Sequence, residues 1–257
     1  MRNLTAAELL TVWERINNQL PPHQAVEVLA AAFPERTAEQ MAQLSIGRRD
    51  SLLLVLRERL FGTRLNSVVV CPQCQQRVEL VFNTFDIKAH SEVVNVDDMK
   101  HAVMSLTMDG YTVNFRLPNS IDLMSIVTCV DSEQAHKQLL TRCIQSVTKA
   151  SENATRLVSW ESDFQLPALL QEAIVKRMAE SDPQANTQLV LTCPECGHTW
   201  NAAFDIVTYL MEEIHCWAKR ILQEIHALAR AYGWREADIL AMSPTRRRAY
   251  LELLGLS

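Results

Sequence analysis

The chain has 257 residues, 25 Lys+Arg against 30 Asp+Glu, 48% hydrophobic residues and only 6 Gly. That length and apolar share suit one large domain or two modest ones and exclude wholesale disorder, while a net charge of −5 gives no overall attraction to phosphate backbones or anionic lipid. The glycines, at 47, 62, 110, 197, 233 and 255, are never clustered, so Walker loops, Gly-x-Gly-x-x-Gly turns and nucleophile elbows are excluded.

Thr5-Ala-Ala-Glu8 reads as a capping box with Leu4 and Leu9 as its hydrophobic staple, and the helix it opens should end before Pro21-Pro22. A second helix spans about Pro22 to Phe33, with Pro34 near its stop. Thr37-Ala-Glu-Gln40 opens a short third, and a longer one follows from about Arg48 to Phe61, closed by Gly62. From Ala102 to Leu117 the apolar period falls to two. The pattern predicts a β-hairpin turning at Asp109-Gly110 and ended by Pro118-Asn119. Helices resume at about 121–129, 132–147 and 167–180. The strongest periodicity runs from Ile206 to Tyr232, where positions 207, 210, 214, 217, 218, 221, 225, 228, 229 and 232 form one stripe stopped by Gly233. Ser243-Pro244 starts a last short helix.

One internal echo stands out. Val68-Val-Val-Cys-Pro-Gln-Cys74 precedes Phe85-Asp-Ile87, and Leu189-Val-Leu-Thr-Cys-Pro-Glu-Cys196 precedes Phe204-Asp-Ile206. Each copy reads as a strand, a Cys-Pro-x-Cys turn and a return strand, which makes a zinc knuckle. Thiolates at i and i+3 supply two of the four tetrahedral ligands that Zn2+ takes, so Cys71, Cys74, Cys193 and Cys196 together fill one structural site with no open position. The competing readings are packed thiols without metal, or a set in which His198 replaces one cysteine. The second knuckle carries Gly197 after its last Cys. The first carries Gln75 there, which predicts a looser turn. About 120 residues separate the knuckles, so the metal would close a long loop and tie the first third of the chain to the C-terminal helix.

Seven cysteines, four of them in these pairs, suit a reducing compartment better than a disulfide framework. The first residues lack a signal-peptide core, and the longest aliphatic run, Leu52 to Leu56, is far short of a membrane span. A soluble cytoplasmic protein is expected. Cys143 reads as core, on a stripe with Leu139, Leu140, Ile144 and Val147, while Cys216 lies off the long helix's apolar stripe. Glu133-x-x-His136 and Glu212-x-x-His215 have the spacing of di-iron bundles, but Glu212 and His215 point away from the apolar stripe and read as solvated faces. Arg246-Arg247-Arg248, in a mildly basic C-terminal stretch, reads as an exposed face or a protein contact. The overall charge argues against nucleic acid.

Phe204-Asp-Ile206, Leu228-Ala-Arg-Ala-Tyr-Gly-Trp234 and Asp238-Ile-Leu-Ala-Met-Ser-Pro-Thr-Arg-Arg-Arg-Ala-Tyr250-Leu resemble the C-terminal part of baseplate hub assembly proteins, the chaperones of T-even-type phages and their relatives in bacterial phage-like contractile systems. Leu44-Ser-Ile-Gly-Arg-Arg-Asp50 through Arg57-Glu-Arg-Leu-Phe-Gly62 and the first knuckle resemble the longer bacterial members. The likeness covers most of the chain, with little from 89–100 and 148–165. It implies a non-enzymatic role in building the tail hub inside the bacterial host cell, and leaves open whether the protein stays in the finished particle.

The expected fold is α+β and mostly α-helical. It comprises an N-terminal helical region (1–66), a split zinc ribbon (67–88 and 189–206), an inserted α+β region (89–188, hairpin at 102–117) and C-terminal helices (206–257). Zn2+ is the expected cofactor, and hub or spike proteins are the expected partners, with no membrane and no small-molecule substrate. Trp217, Trp234, Arg246, Arg247, Arg248 and Tyr250 form the expected partner surface, since Trp and Arg most often carry interface energy. For Trp217 a place in the core is the stronger reading. The runner-up function is a zinc-ribbon adaptor in transcription or nucleic-acid handling.

Overall fold

The computed structural model describes residues 1–89, 103–151, 154–158 and 166–256. In chain order the helices are α1 (Ala6–Ile16), α2 (Pro21–Ala32), α3 (Ala38–Ala42), α4 (Ile46–Phe61), α5 (Thr84–Ile87), α6 (Ser120–Ile126), α7 (Ser132–Cys143), α8 (Ala168–Ser181), α9 (Ile206–Tyr232), α10 (Glu236–Leu240) and α11 (Pro244–Leu253). The strands are β1 (Arg64–Val70), β2 (Arg77–Asn83), β3 (Met104–Met108), β4 (Tyr111–Phe115), β5 (Ile144–Ser151), β6 (Ala154–Val158), β7 (Gln188–Thr192) and β8 (Thr199–Ala203). The α+β class, mainly helical with small antiparallel sheets, is as the sequence predicts. Two compact units divide the chain, one made of residues 1–38 and 205–257, the other of 39–204.

In the first unit α1, α2, α10 and α11 pack around α9. The capping box at Thr5 and Glu8 is present, with Glu8 Oε2 accepting from the Thr5 amide at 2.9 Å. Asp205 caps α9 by accepting from the Val207 amide at 2.9 Å, and Gly233 ends it in the left-handed region at φ 68°. The predicted stripe is the buried one: Ala218, Ile221, Ile225 and Leu228 join Leu10 and Ile239 in a core.

The second unit contains a four-stranded antiparallel sheet in the order β3-β4-β5-β6 and two separate two-stranded hairpins, β1-β2 and β7-β8. The hairpin at Asp109-Gly110 forms as expected, with φ 52° and 76° at the turn, the pair of positive values that matches strand twist. Its first predicted residue, Ala102, lies outside the described residues. The helix expected over 132–147 stops at Cys143, and Ile144 onward is strand. Phe115 pairs with Ile144 but Asn114 with Ser146, so Gln145 is an extra residue in β5. This β-bulge puts Ile144 and Val147 three apart on one face, which imitates a helical period. Both join Val113, Phe115, Leu140, Leu170 and Ile174 in the core of this unit.

Polar contacts fix the rest of the unit around the start of α4. Ser45 bridges Asn119, the Ile46 amide donates to the Pro118 carbonyl at 3.1 Å, and Arg49 Nη1 donates to Ser120 Oγ at 3.2 Å. The Gly47 amide donates to Asp182 Oδ2 at 2.9 Å, and a Cβ at Gly47 would sit 2.0 Å from Asp182 Oδ1. Only glycine lets the carboxylate come that close.

Asp122, fully buried, accepts from Arg116 at 2.6 and 2.9 Å and from Arg142 Nε at 3.0 Å. Burial alone would raise its carboxyl. The Arg116 guanidinium, the Asn119 amide and Arg142 outweigh that and hold it below the usual carboxylate range. A carboxylate with a depressed folded pKa stabilises above its unfolded value and loses that contribution as pH falls through the folded one. Wild-type stability should therefore drop below about pH 4. Asp122→Asn should cost about 3 kcal/mol at pH 7, where it strands Arg116, and should flatten the acid limb. Chemical denaturation between pH 2.5 and 7 checks both.

Candidate metal centre

Cys71 follows directly on β1 and Cys193 on β7, each at the end of a strand whose return partner begins after a six-residue turn. The two turns have the same hydrogen bonds. The Cys71 amide donates to the Gln76 carbonyl and the Cys193 amide to the His198 carbonyl, both at 2.9 Å. The Gln75 amide returns to the Cys71 carbonyl and the Gly197 amide to the Cys193 carbonyl, both at 3.0 Å. Gln75 lies at φ 60° and Gly197 at φ 70°. The looser first turn expected from Gln75 is therefore not seen: the glutamine adopts the glycine's conformation.

The hairpins bring all four sulfurs within 4.8 Å of one another. Across the knuckles, Cys71 Sγ lies 3.7 Å from Cys196 Sγ, and Cys74 Sγ 3.6 Å from Cys193 Sγ. Sulfurs about 2.3 Å from a central ion form a tetrahedron with edges of about 3.8 Å, so the donor set and its size fit a tetrahedral thiolate site. Cys71 and Cys193 are buried under Val78, with Val69, Leu80 and Trp200 around them, while Cys74 and Cys196 are exposed. Backbone amides also point at sulfur. Burial opposes ionisation of Cys71, but the amides of Cys74 and Gln73 and the thiols of Cys74 and Cys196 bring it down to about 7. At Cys74 the Gln76 amide lowers the thiol, yet burial and the other three sulfurs push it up to about 12. Four sulfurs this close cannot all ionise on their own, and a cation at their centre would allow it.

The remaining sequence candidates lie elsewhere. The His198 ring stacks on Trp200 at 6.0 Å, and the cluster of four is made of cysteines. Cys143 is buried as expected, its thiol pushed up to about 12 by burial and then by Asp122. Cys129 Sγ donates to Gln138 Oε1 at 3.2 Å, and Cys216 is exposed. Glu133, His136 and Glu212 are exposed. His215 departs from the solvated face expected for it: half-buried, its Nδ1 accepts from the Trp13 indole at 3.0 Å, because α1 packs against that side of α9.

Trp217 packs against the core of the first unit. Trp234 stacks on Tyr232 at 4.5 Å and meets Tyr250 edge-on at 4.8 Å. Arg246 and Arg248 are exposed. Arg247 is buried, donating to Glu224 Oε2 and to the Met242 carbonyl, both at 3.0 Å. The arginine run is thus two outward cations flanking an inward one.

Residues 6–210 match the model of the family described as T4 bacteriophage base plate protein. The chain belongs to that family. No curated protein and no solved structure matches it. The match takes in both knuckles and the start of α9, while the rest of α9 with α10 and α11 lies beyond it. Among the described residues of this baseplate protein, no helix is long and apolar enough to cross a membrane.

Holding a non-glycine residue at positive φ costs about 1 kcal/mol. Gln75→Gly should therefore stabilise the protein by up to about 1 kcal/mol, and Gly197→Ala should destabilise it by a similar amount. Thermal unfolding of the two variants beside the wild type reads both signs.

Proposed function

We propose that this chain is a non-enzymatic assembly factor or structural component of a phage-like contractile tail baseplate, acting at the hub through protein–protein contacts, with one structural Zn2+ held by Cys71, Cys74, Cys193 and Cys196. The family match over residues 6–210 carries the functional part. The four-sulfur cluster supports the metal, and spacing with all-thiolate donors favours zinc. Four protein ligands leave no place for water or substrate, so the ion's contribution is to folding. The partner surface we assign is the outer side of the C-terminal helices, with exposed Arg246 and Arg248 as its cations, Tyr250 under Arg246, Trp234 edge-on to Tyr250, and the half-buried Trp217 of α9. Arg247 serves inside the unit, as the ion pair to Glu224. The partners are hub or spike proteins, and the place of action is the bacterial host cell during tail assembly.

The zinc reading is tested on purified full-length protein by elemental analysis and unfolding. One ion per chain is expected. Cys193→Ser or chelation should remove it and cost up to about 4 kcal/mol, the order expected when a cross-link closing a loop of this length is lost. Cys216→Ser, outside the cluster, should change neither quantity. A metal-free native protein, or an unfolding midpoint indifferent to chelator, overturns the reading.

For the partner reading, tagged protein is recovered from its native cell at moderate salt and its companions are identified by mass spectrometry. Tail hub, spike or baseplate proteins are expected, with recovery reduced roughly tenfold by a double Arg246→Glu, Arg248→Glu change. Recovery of polymerase subunits or nucleic acid instead would replace the baseplate role with the transcription-adaptor one.

A further inference from the structure

The four sulfurs are not equivalent. Cys74 and Cys196 are open to solvent, and each touches a buried sulfur of the opposite knuckle: Cys193 at 3.6 Å from Cys74, and Cys71 at 3.7 Å from Cys196. An exposed sulfur backed by a buried one in contact is the arrangement in which an oxidised cysteine is resolved to a disulfide before it goes further up the oxidation ladder. We propose that the cluster is a modification site with a second, covalent state, in which a hydroperoxide converts it to two disulfides across the knuckles, Cys74–Cys193 and Cys71–Cys196.

The chemistry balances without another reagent. The exposed Cys74 sulfur, giving its proton to solvent, attacks the peroxide oxygen, the O–O bond breaks, and one hydroxide or alkoxide leaves while Cys74 becomes a sulfenic acid. The Cys193 thiolate then attacks that sulfur, the S–O bond breaks and a second hydroxide leaves. Two electrons have passed from two sulfurs to one peroxide, and two protons from solvent neutralise the released bases. Cys196 and Cys71 repeat the sequence with a second peroxide.

The pairing matters for the fold. Disulfides inside each Cys-x-x-Cys turn would leave the two hairpins unconnected, whereas cross-knuckle disulfides tie residues 119 and 125 positions apart, so the same long loop stays closed. Oxidation therefore exchanges one cross-link for another and does not open the second unit. The inference rests on the proposed metal reading only in that an ion bound by the thiolates is released as they are consumed.

The test uses full-length protein carrying Cys216→Ser, which removes an exposed cysteine outside the cluster. Metal content is measured on the reduced protein first. Two equivalents of hydrogen peroxide are then added, free thiols are alkylated, and non-reduced peptides are mapped and fragmented. The expected result is one species joining the peptide of Cys71 and Cys74 to that of Cys193 and Cys196, with fragments assigning Cys74–Cys193 and Cys71–Cys196. The oxidised protein should keep its unfolding midpoint in chelator, while reduced protein loses it. Separate peptides each two hydrogens lighter, the alternative pairing Cys71–Cys193 with Cys74–Cys196, or sulfinic acids at Cys74 and Cys196 would each overturn the proposal. Cross-knuckle pairing in a protein that purifies without metal retains this inference and removes the zinc reading. Within-knuckle pairing in a metal-loaded protein does the reverse.

Discussion

Closure of a long chain segment by four sulfurs is the constraint around which the second unit is arranged. Cys74 and Cys193 are 119 positions apart. Bringing such distant points together costs chain entropy, of the order of 4–5 kcal/mol for a loop of about 100 residues once a cross-link holds them. Each hairpin aligns its own pair of cysteines through the same amide-to-carbonyl bonds, so the cluster is built from two matching half-sites and not from four independent thiols. The echo in sequence is thus an echo in geometry, down to the buried first cysteine and exposed second cysteine of each turn.

Polar groups as well as apolar ones hold the second unit. The start of α4 is pinned by Pro118, Asn119 and Ser120 on one side and by Asp182 on the other. Asp122, within the same turn as Ser120, gathers Arg116 and Arg142. A buried carboxylate with two guanidiniums does little for stability in excess of an apolar equivalent, yet removing one partner is costly because a charge is left stranded. Its benefit is to specify one arrangement. Here it ties Arg116, just after β4, and Arg142 of α7 to α6.

The parts of this fold legible in the sequence are those whose cause is local. Thr5 with Glu8, Gly233 and Asp109-Gly110 each act within a few residues, and each marks the boundary expected of it. The four cysteines were legible because metal chemistry demands a spacing that chance seldom repeats. What escaped was set by partners far along the chain. The spacing of Ile144 and Val147 looks helical only because a bulge at Gln145 interrupts the strand's alternation, and that bulge is defined by pairing with β4. Gly47 carries no local mark; its reason is Asp182, 135 residues later. Likewise His215 looks solvated on its own helix until Trp13 arrives from α1.

The arginine run teaches a related point about surfaces. Three consecutive helical positions fan over about 200°, and Arg247 lies three and four positions before Tyr250 and Leu251, which pack half-buried against the core, so it shares their inward face. Arg247 turns inward and is matched by Glu224 and the Met242 carbonyl. A tally of basic residues overstates the exposed charge of this helix, which is that of Arg246 and Arg248. The sulfur cluster limits function in the same way, through geometry. Were all four sulfurs to bind a tetrahedral ion, no position would remain for it to activate water or polarise a substrate. What such a centre would do is hold the two hairpins of the second unit together.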